Sequence, residues 1–141
     1  MRRDYFTVDV EPDPTDGGKP TIRIDYSGPT EGLRERLSTA TGTLDADEID
    51  VTLRRQPGDE DGVVSLSTRL TGEYILEAAA PTEAILALVS AAEDREDGTY
   101  EVRLTDSEGQ SIVYEKRTLL VYDHDGSLLR SQSLIPGGVQ L

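Results

Sequence analysis

Polar and apolar residues alternate along much of this chain, and where they do not, the apolar ones recur at helical spacing. Alternation marks a strand with one buried face, because successive side chains point to opposite sides of a sheet. It runs through residues 4–10, with Phe6, Val8 and Val10 in phase, and through Thr21 to Tyr26, with Ile22, Ile24 and Tyr26. It returns in Ile49 to Arg55, Val63 to Leu70, Tyr100 to Thr105, Ser111 to Tyr122 and Leu128 to Leu134. Two stretches break the rhythm. Each opens on a proline, Pro29 or Pro81, and spaces its apolar residues three and four apart: Leu33, Leu37 and Ala40, then Ile85, Leu88, Val89 and Ala92. Proline at the first helical position gives up no hydrogen bond, and Glu31 or Glu83 in the first turn suits the positive end of the helix dipole. The spacing predicts two helices with one buried face each. Gly62 after Asp61, Gly109 after Glu108 and Gly126 after Asp125 mark the expected hairpin turns.

The two halves echo one another. A shift of 52 positions lays Pro29-Thr30-Glu31 on Pro81-Thr82-Glu83, Ile24 on Leu76, Leu33 on Ile85 and Leu37 on Val89. With one residue deleted, Ile49, Val51 and Leu53 fall on Tyr100, Val102 and Leu104. The phase therefore survives across a helix and a strand, which three chance identities would not achieve. Residues 1–141 read as a single domain holding two copies of a strand-helix-strand-strand unit, about 20–70 and about 73–123. A strand over 4–10 precedes them, and a strand and tail over 127–141 follow. The expected fold is α+β: a mainly antiparallel sheet of about eight strands, both helices packed on one face, the copies related by a pseudo-twofold axis.

Composition sets the environment. Acidic residues outnumber basic ones by 28 to 14, for a net charge of −14. Leu, Ile, Val and Phe still make 34 of the 141 residues, above the roughly one-fifth level below which a highly charged chain stays unfolded. Lysine occurs only at Lys19 and Lys116, and the other basic residues are arginine. A dense carboxylate surface with few lysines fits a salt-rich cytoplasm, where counterions screen the repulsion that would strain the fold in dilute buffer. Without cysteine there is no disulfide, thiolate nucleophile or Cys-based metal site. The amino terminus lacks the apolar run of a signal peptide, and Ala84 to Ala92 is too short to span a bilayer. A cytoplasmic protein without membrane contact is expected.

The candidate chemistry is sparse. One histidine exists, His124, so any imidazole catalysis must use it. Asp123, His124 and Asp125 offer two carboxylates and an imidazole to a divalent ion, with Glu115 as a further source of charge. Adjacent side chains in a strand diverge, however, and Asp125-Gly126 is itself a turn signal. Asp45-Ala46-Asp47-Glu48 and Asp59-Glu60-Asp61-Gly62 lack the spacing of an EF-hand and read as solvated turns. Arg54, Arg55, Lys116 and Arg117 would form a nucleic-acid patch if the fold gathers them, although counterion-release binding fades in concentrated salt. Leu134, Ile135, Val139 and Leu141 make the tail apolar, which suits either docking to a protein partner, a second copy included, or cover for the chain's own core. Nothing implies a cofactor. The balance favours a non-enzymatic protein-interaction module, with a small metal-dependent or acid-base enzyme at Asp123, His124 and Asp125 and an arginine-patch nucleic-acid binder as alternatives.

Three segments carry a resemblance: Arg2-Arg3-Asp4-Tyr5-Phe6, Thr71-Gly72-Glu73-Tyr74-Ile75-Leu76-Glu77, and Lys116-Arg117-Thr118-Leu119-Leu120-Val121-Tyr122 running on to Leu134-Ile135-Pro136. Over most of its length the chain resembles a family of uncharacterised haloarchaeal proteins, a domain of unknown function. The resemblance implies the halophilic setting and no activity, ligand or catalytic residue.

Overall fold

The alternating stretches become strands, but they divide between two sheets. The computed structural model describes residues 5–12, 18–39 and 42–136. In chain order the elements are β1 (Phe6–Glu11), β2 (Thr21–Tyr26), α1 (Thr30–Arg36), β3 (Ser38–Thr39), β4 (Gly42–Thr43), β5 (Ile49–Arg54) and β6 (Asp61–Thr68). Then follow β7 (Tyr74–Pro81), α2 (Thr82–Glu93), β8 (Tyr100–Thr105), β9 (Ser111–Lys116) and β10 (Leu120–Tyr122). Single 3₁₀ turns lie at Ala46–Glu48 and Arg130–Gln132. One four-stranded sheet has the order β1-β2-β8-β9, the other β10-β5-β6-β7, and β3 with β4 makes a small separate ribbon. The expected single sheet of about eight strands is thus replaced by two mixed sheets of four. Each contains one parallel pair, β2 with β8 and β5 with β10. No helix among the described residues is long and apolar enough to cross a membrane.

Both sheets and both helices enclose one core. Ile22, Ile24 and Tyr26, then Ile49, Val51 and Leu53, then Tyr100, Val102 and Leu104 all turn into it, as the alternation requires. Helix α2 adds Ile85, Leu88, Val89 and Ala92, and α1 adds Leu33 and its C-cap Leu37. Ala40, the third residue of that first predicted stripe, lies outside the described residues. Helix α2 lies against β1 and β7, which come from different sheets and run beside each other. Pro29 and Pro81 sit one position earlier than expected, as extended N-caps.

Apart from the short β3–β4 ribbon of the first half, the order strand, helix, strand, strand is common to both halves, yet the pairing is not symmetric. An exact twofold that matches β2 with β7 and β8 with β5 would pair β7 with β5, as β2 pairs with β8. Instead β7 pairs antiparallel with β6. Strand β7 also carries an extra residue: Leu66 faces Leu76 while the adjacent Ser67 faces Tyr74. This bulge lets Ile75 and Leu76 both turn inward and leaves Tyr74 outside.

Two predicted strands are corrected. Ser111 to Tyr122 is not one strand, because β9 serves the first sheet and β10 the second, and Arg117 to Leu119 carries the chain between them. The corner is held by side chains: the buried Tyr100 hydroxyl donates to Thr118 O at 2.8 Å. The Lys116 ammonium donates to Ala46 O at 2.6 Å and Ile49 O at 2.5 Å. Leu128 to Leu134 forms isolated bridges, Tyr122 with Leu128 and Leu119 with Leu134, around the Arg130–Gln132 turn. The β5–β6 turn is built by Pro57 and Gly58, whose φ is 72°. Gly62, expected as the turn glycine, lies inside β6, where a Cβ would stand 2.8 Å from Arg54 O.

Candidate functional site

A broad groove lies between two turns that pin one another. The β6–β7 connection is folded tightly: the Gly72 N–H donates to Thr68 O at 2.8 Å and the Thr68 N–H to Glu73 O at 2.9 Å. Gly72 adopts φ 74°, a value that favours glycine. The Arg69 N–H donates to Glu48 O, and the Arg69 guanidinium meets Asp50 at 3.0 Å. The Asp45–Glu48 turn is closed by a capping box, in which Glu48 Oε1 accepts from the Asp45 N–H at 2.9 Å and the Asp45 carboxylate accepts from the backbone of Glu48.

Between these turns lies a groove of about 1030 Å³. Its apolar lining is Leu44, Leu70, Tyr74 and Ile75, and Glu35, Asp47, Glu48 and Glu73 supply negative charge against Arg69, the one cation among the described lining residues. Leu70 is 95% exposed and Tyr74 is more than half exposed, the two most exposed large hydrophobic residues among those described. Leucine at the tip of an ordered turn gains nothing for the isolated fold, since its apolar surface stays in water. None of these residues was a sequence candidate. Leu70 looked like the end of a strand, and the usable signal was its place directly before Thr71-Gly72, where a turn calls for polar side chains.

The predicted metal group does not converge. Asp123 Oδ1 accepts from the N–H groups of Asp125 and Ser127, both at 2.9 Å, and Gly126 takes φ 85° to close the turn. That oxygen is spent on the turn. His124 Nε2 lies 3.3 Å from Asp125 Oδ1 in an exposed pair. Asp123 and His124 line a second groove of about 760 Å³ together with Arg55, Glu60, Thr82 and Glu83, whereas Asp125 is not among its lining residues. Glu115 is held by the Lys19 ammonium, which keeps its carboxyl below the usual carboxylate range. Among the described residues, one set of three His, Cys, Asp or Glu brings its ligand atoms together: Asp45, Asp47 and Glu48.

The basic residues are also dispersed. Lys116 is 5% exposed, and burial lowers its pKa while its ammonium bridges β9 to the start of β5. It is a structural post and not part of a surface patch. Arg55 lines the second groove and bonds Gln132 at 2.9 Å. Arg54 faces a different hollow with Tyr74 and Tyr122, and Arg117 borders a third with Ile135. Leu134 is buried in the core, so its docking role is withdrawn in favour of core cover. Ile135 is half-buried, and Val139 and Leu141 lie outside the described residues.

Two mixed four-stranded sheets with two helices around one core define an α+β fold. The chain belongs to the Family of unknown function (DUF5793), which it matches along residues 1–141. No curated protein and no solved structure matches it.

Proposed function

We propose that this protein is a non-enzymatic interaction module of a salt-rich, haloarchaeal cytoplasm, and that the groove between Leu44, Leu70, Tyr74 and Ile75 takes an apolar, basic segment of a protein partner. The observation that carries this reading is Leu70, almost wholly exposed on a turn already fixed by its own hydrogen bonds. A pre-ordered apolar contact loses little further entropy on binding, which is the character of an interface hot spot. The acidic rim selects the charge of the partner. In concentrated salt the apolar floor supplies most of the affinity, because exposed ion pairs are screened within about 3 Å at molar strength. The recurring element order of the two halves supports an origin by duplication of one unit.

Selection from a random-sequence peptide display library in about 2 M KCl, a strength at which diffuse charge attraction is screened, tests the proposal. Enriched peptides are expected to combine aliphatic or aromatic residues with arginine or lysine. Leu70→Ser with Tyr74→Ser should weaken them by roughly tenfold or more, as for a truncated hot spot, without loss of fold. Absence of enrichment, or equal binding by the double variant, sinks the reading.

A further inference from the structure

The second sheet has a polar hollow on the face turned away from the core. Val51, Leu53, Val64, Leu66 and Leu76 of its strands point into the core, so the residues between them face outward. The register sets Thr52 of β5, Ser65 of β6 and Glu77 of β7 side by side in one row across that outer face. In the row to one side Tyr122 of β10 stands beside Arg54, and in the row to the other Tyr74 of β7 stands beside Ser67. These side chains wall a hollow of about 300 Å³, with a tyrosine at each of two opposite corners. Ser65 is its floor. It is 6% exposed although it faces away from the core, because the longer side chains around it rise above it. Its hydroxyl has no hydrogen-bond partner among the described residues, where a hydroxyl so buried normally finds one. Arg54 likewise makes no ion pair or side-chain hydrogen bond among them.

The chemistry of the lining selects the occupant. An apolar ligand would bury the hydroxyls, Arg54 and Glu77 without partners, which is costly. Glu77 opposes an anion and Arg54 a cation. A neutral molecule rich in hydroxyl groups suits all of them, since it donates to the Glu77 carboxylate, accepts from Arg54 and does either with Ser65 and Ser67. The apolar ring faces of a sugar also pack on tyrosine. Four strands at about 4.8 Å apart put β10 and β7 about 14 Å from one another, room for a short saccharide between Tyr122 and Tyr74. We propose that this hollow binds a neutral carbohydrate, with Ser65 as the floor, Arg54 and Glu77 orienting its hydroxyls and the two tyrosines packing on its rings. Contacts of this kind, unlike exposed ion pairs, are not screened by concentrated salt. Tyr74 also lines the groove assigned to a protein partner, whereas Leu70 belongs to that groove alone, so Leu70 tells the two proposals apart.

A glycan array that carries neutral and sulfated oligosaccharides, probed with the full chain in about 2 M KCl to screen diffuse charge attraction, tests the site. Neutral glycans are expected to bind, and the best of them is then titrated by calorimetry. Tyr122→Ala should weaken it by roughly tenfold or more, the scale of a truncated aromatic anchor. Ser65→Val, which removes the floor hydroxyl and fills its place, should do the same. Leu70→Ser should leave the affinity unchanged. Thermal unfolding checks that each variant folds, and Tyr122→Ala, whose side chain is only half-buried, carries the test if Ser65→Val does not. An array without bound glycans, or an affinity unaltered in folded Tyr122→Ala, would overturn the proposal. So would binding of sulfated glycans alone, which would reduce the hollow to an anion contact at Arg54.

Discussion

Lys116 concentrates the physics of this fold in one side chain. Its ammonium leaves water to donate to two carbonyls, Ala46 O in the turn before β5 and Ile49 O at the start of that strand, so it ties the end of β9 to the second sheet. Two charge-assisted bonds are each worth about 1.5–3 kcal/mol, and desolvation takes part of that back, so Lys116→Met is expected to destabilise by about 3 kcal/mol in chemical denaturation. The sign of its pH dependence follows from the burial that lowers its pKa below 10.5. In the window beneath 10.5 the unfolded chain holds the proton that the folded chain has begun to release, so this residue makes stability rise with pH there. Above 10 the raised pKa values of Tyr100 and of Tyr114, pushed up to about 12, act in the opposite sense. Denaturation profiles taken as the pH approaches 10 from below should therefore lose an upward slope in Lys116→Met; an unchanged slope would assign it elsewhere. Composition marks lysine as rare in this chain, but only the fold shows that this one is a buried post.

The segment over Leu128 to Leu134 shows how an apolar stretch becomes something other than a strand. Ser133 Oγ accepts from the Val121 N–H at 2.8 Å and donates to Leu129 O at 2.9 Å, so one buried hydroxyl closes the segment onto β10. Ser133→Ala strands a buried donor, and a loss of about 1–3 kcal/mol is expected, read by thermal or urea unfolding. A loss below about 0.5 kcal/mol, the level of an ordinary surface change, would mean that water replaces the hydroxyl. Element identity was largely legible beforehand, since the alternation at Ile22, Ile49 and Tyr100 and the stripe from Ile85 to Ala92 are local properties. Sheet membership was not, because pairing β2 with β8 joins residues far apart in sequence. Glycine hid another distinction. Gly58 supplies a turn and Gly62 a close approach to Arg54 O, two demands that look alike in a sequence. The groove stayed hidden because its lining is drawn from Glu35, Leu44 and the turns around Asp47 and Leu70, none of which forms a motif.

At the scale of the whole molecule, the net charge of −14 is spread over a chain of 141 residues whose described ion pairs lie largely at the surface. Such pairs are worth little individually, about 0–1 kcal/mol, and cannot offset repulsion summed over so many carboxylates. The repulsion is long-ranged in dilute buffer, where the Debye length is about 30 Å at 0.01 M, and nearly vanishes at molar salt. Folding brings the charges closer together, so screening favours the folded state over the expanded one. Raising KCl from about 0.1 M to 2 M should add about 2 kcal/mol, or on the order of 5–10 °C in Tm for a domain of this size. Potassium chloride is the useful salt, because sulfate would also strengthen apolar burial by exclusion from the surface and confuse the two causes. A Tm that is flat or falling across the series would show that the carboxylates do not strain the fold, and the salt-rich setting would lose its physical support. A rise that flattens once the Debye length drops to a few ångströms would identify screening as the cause, whereas a rise that continues linearly to the highest concentration would point to bound ions.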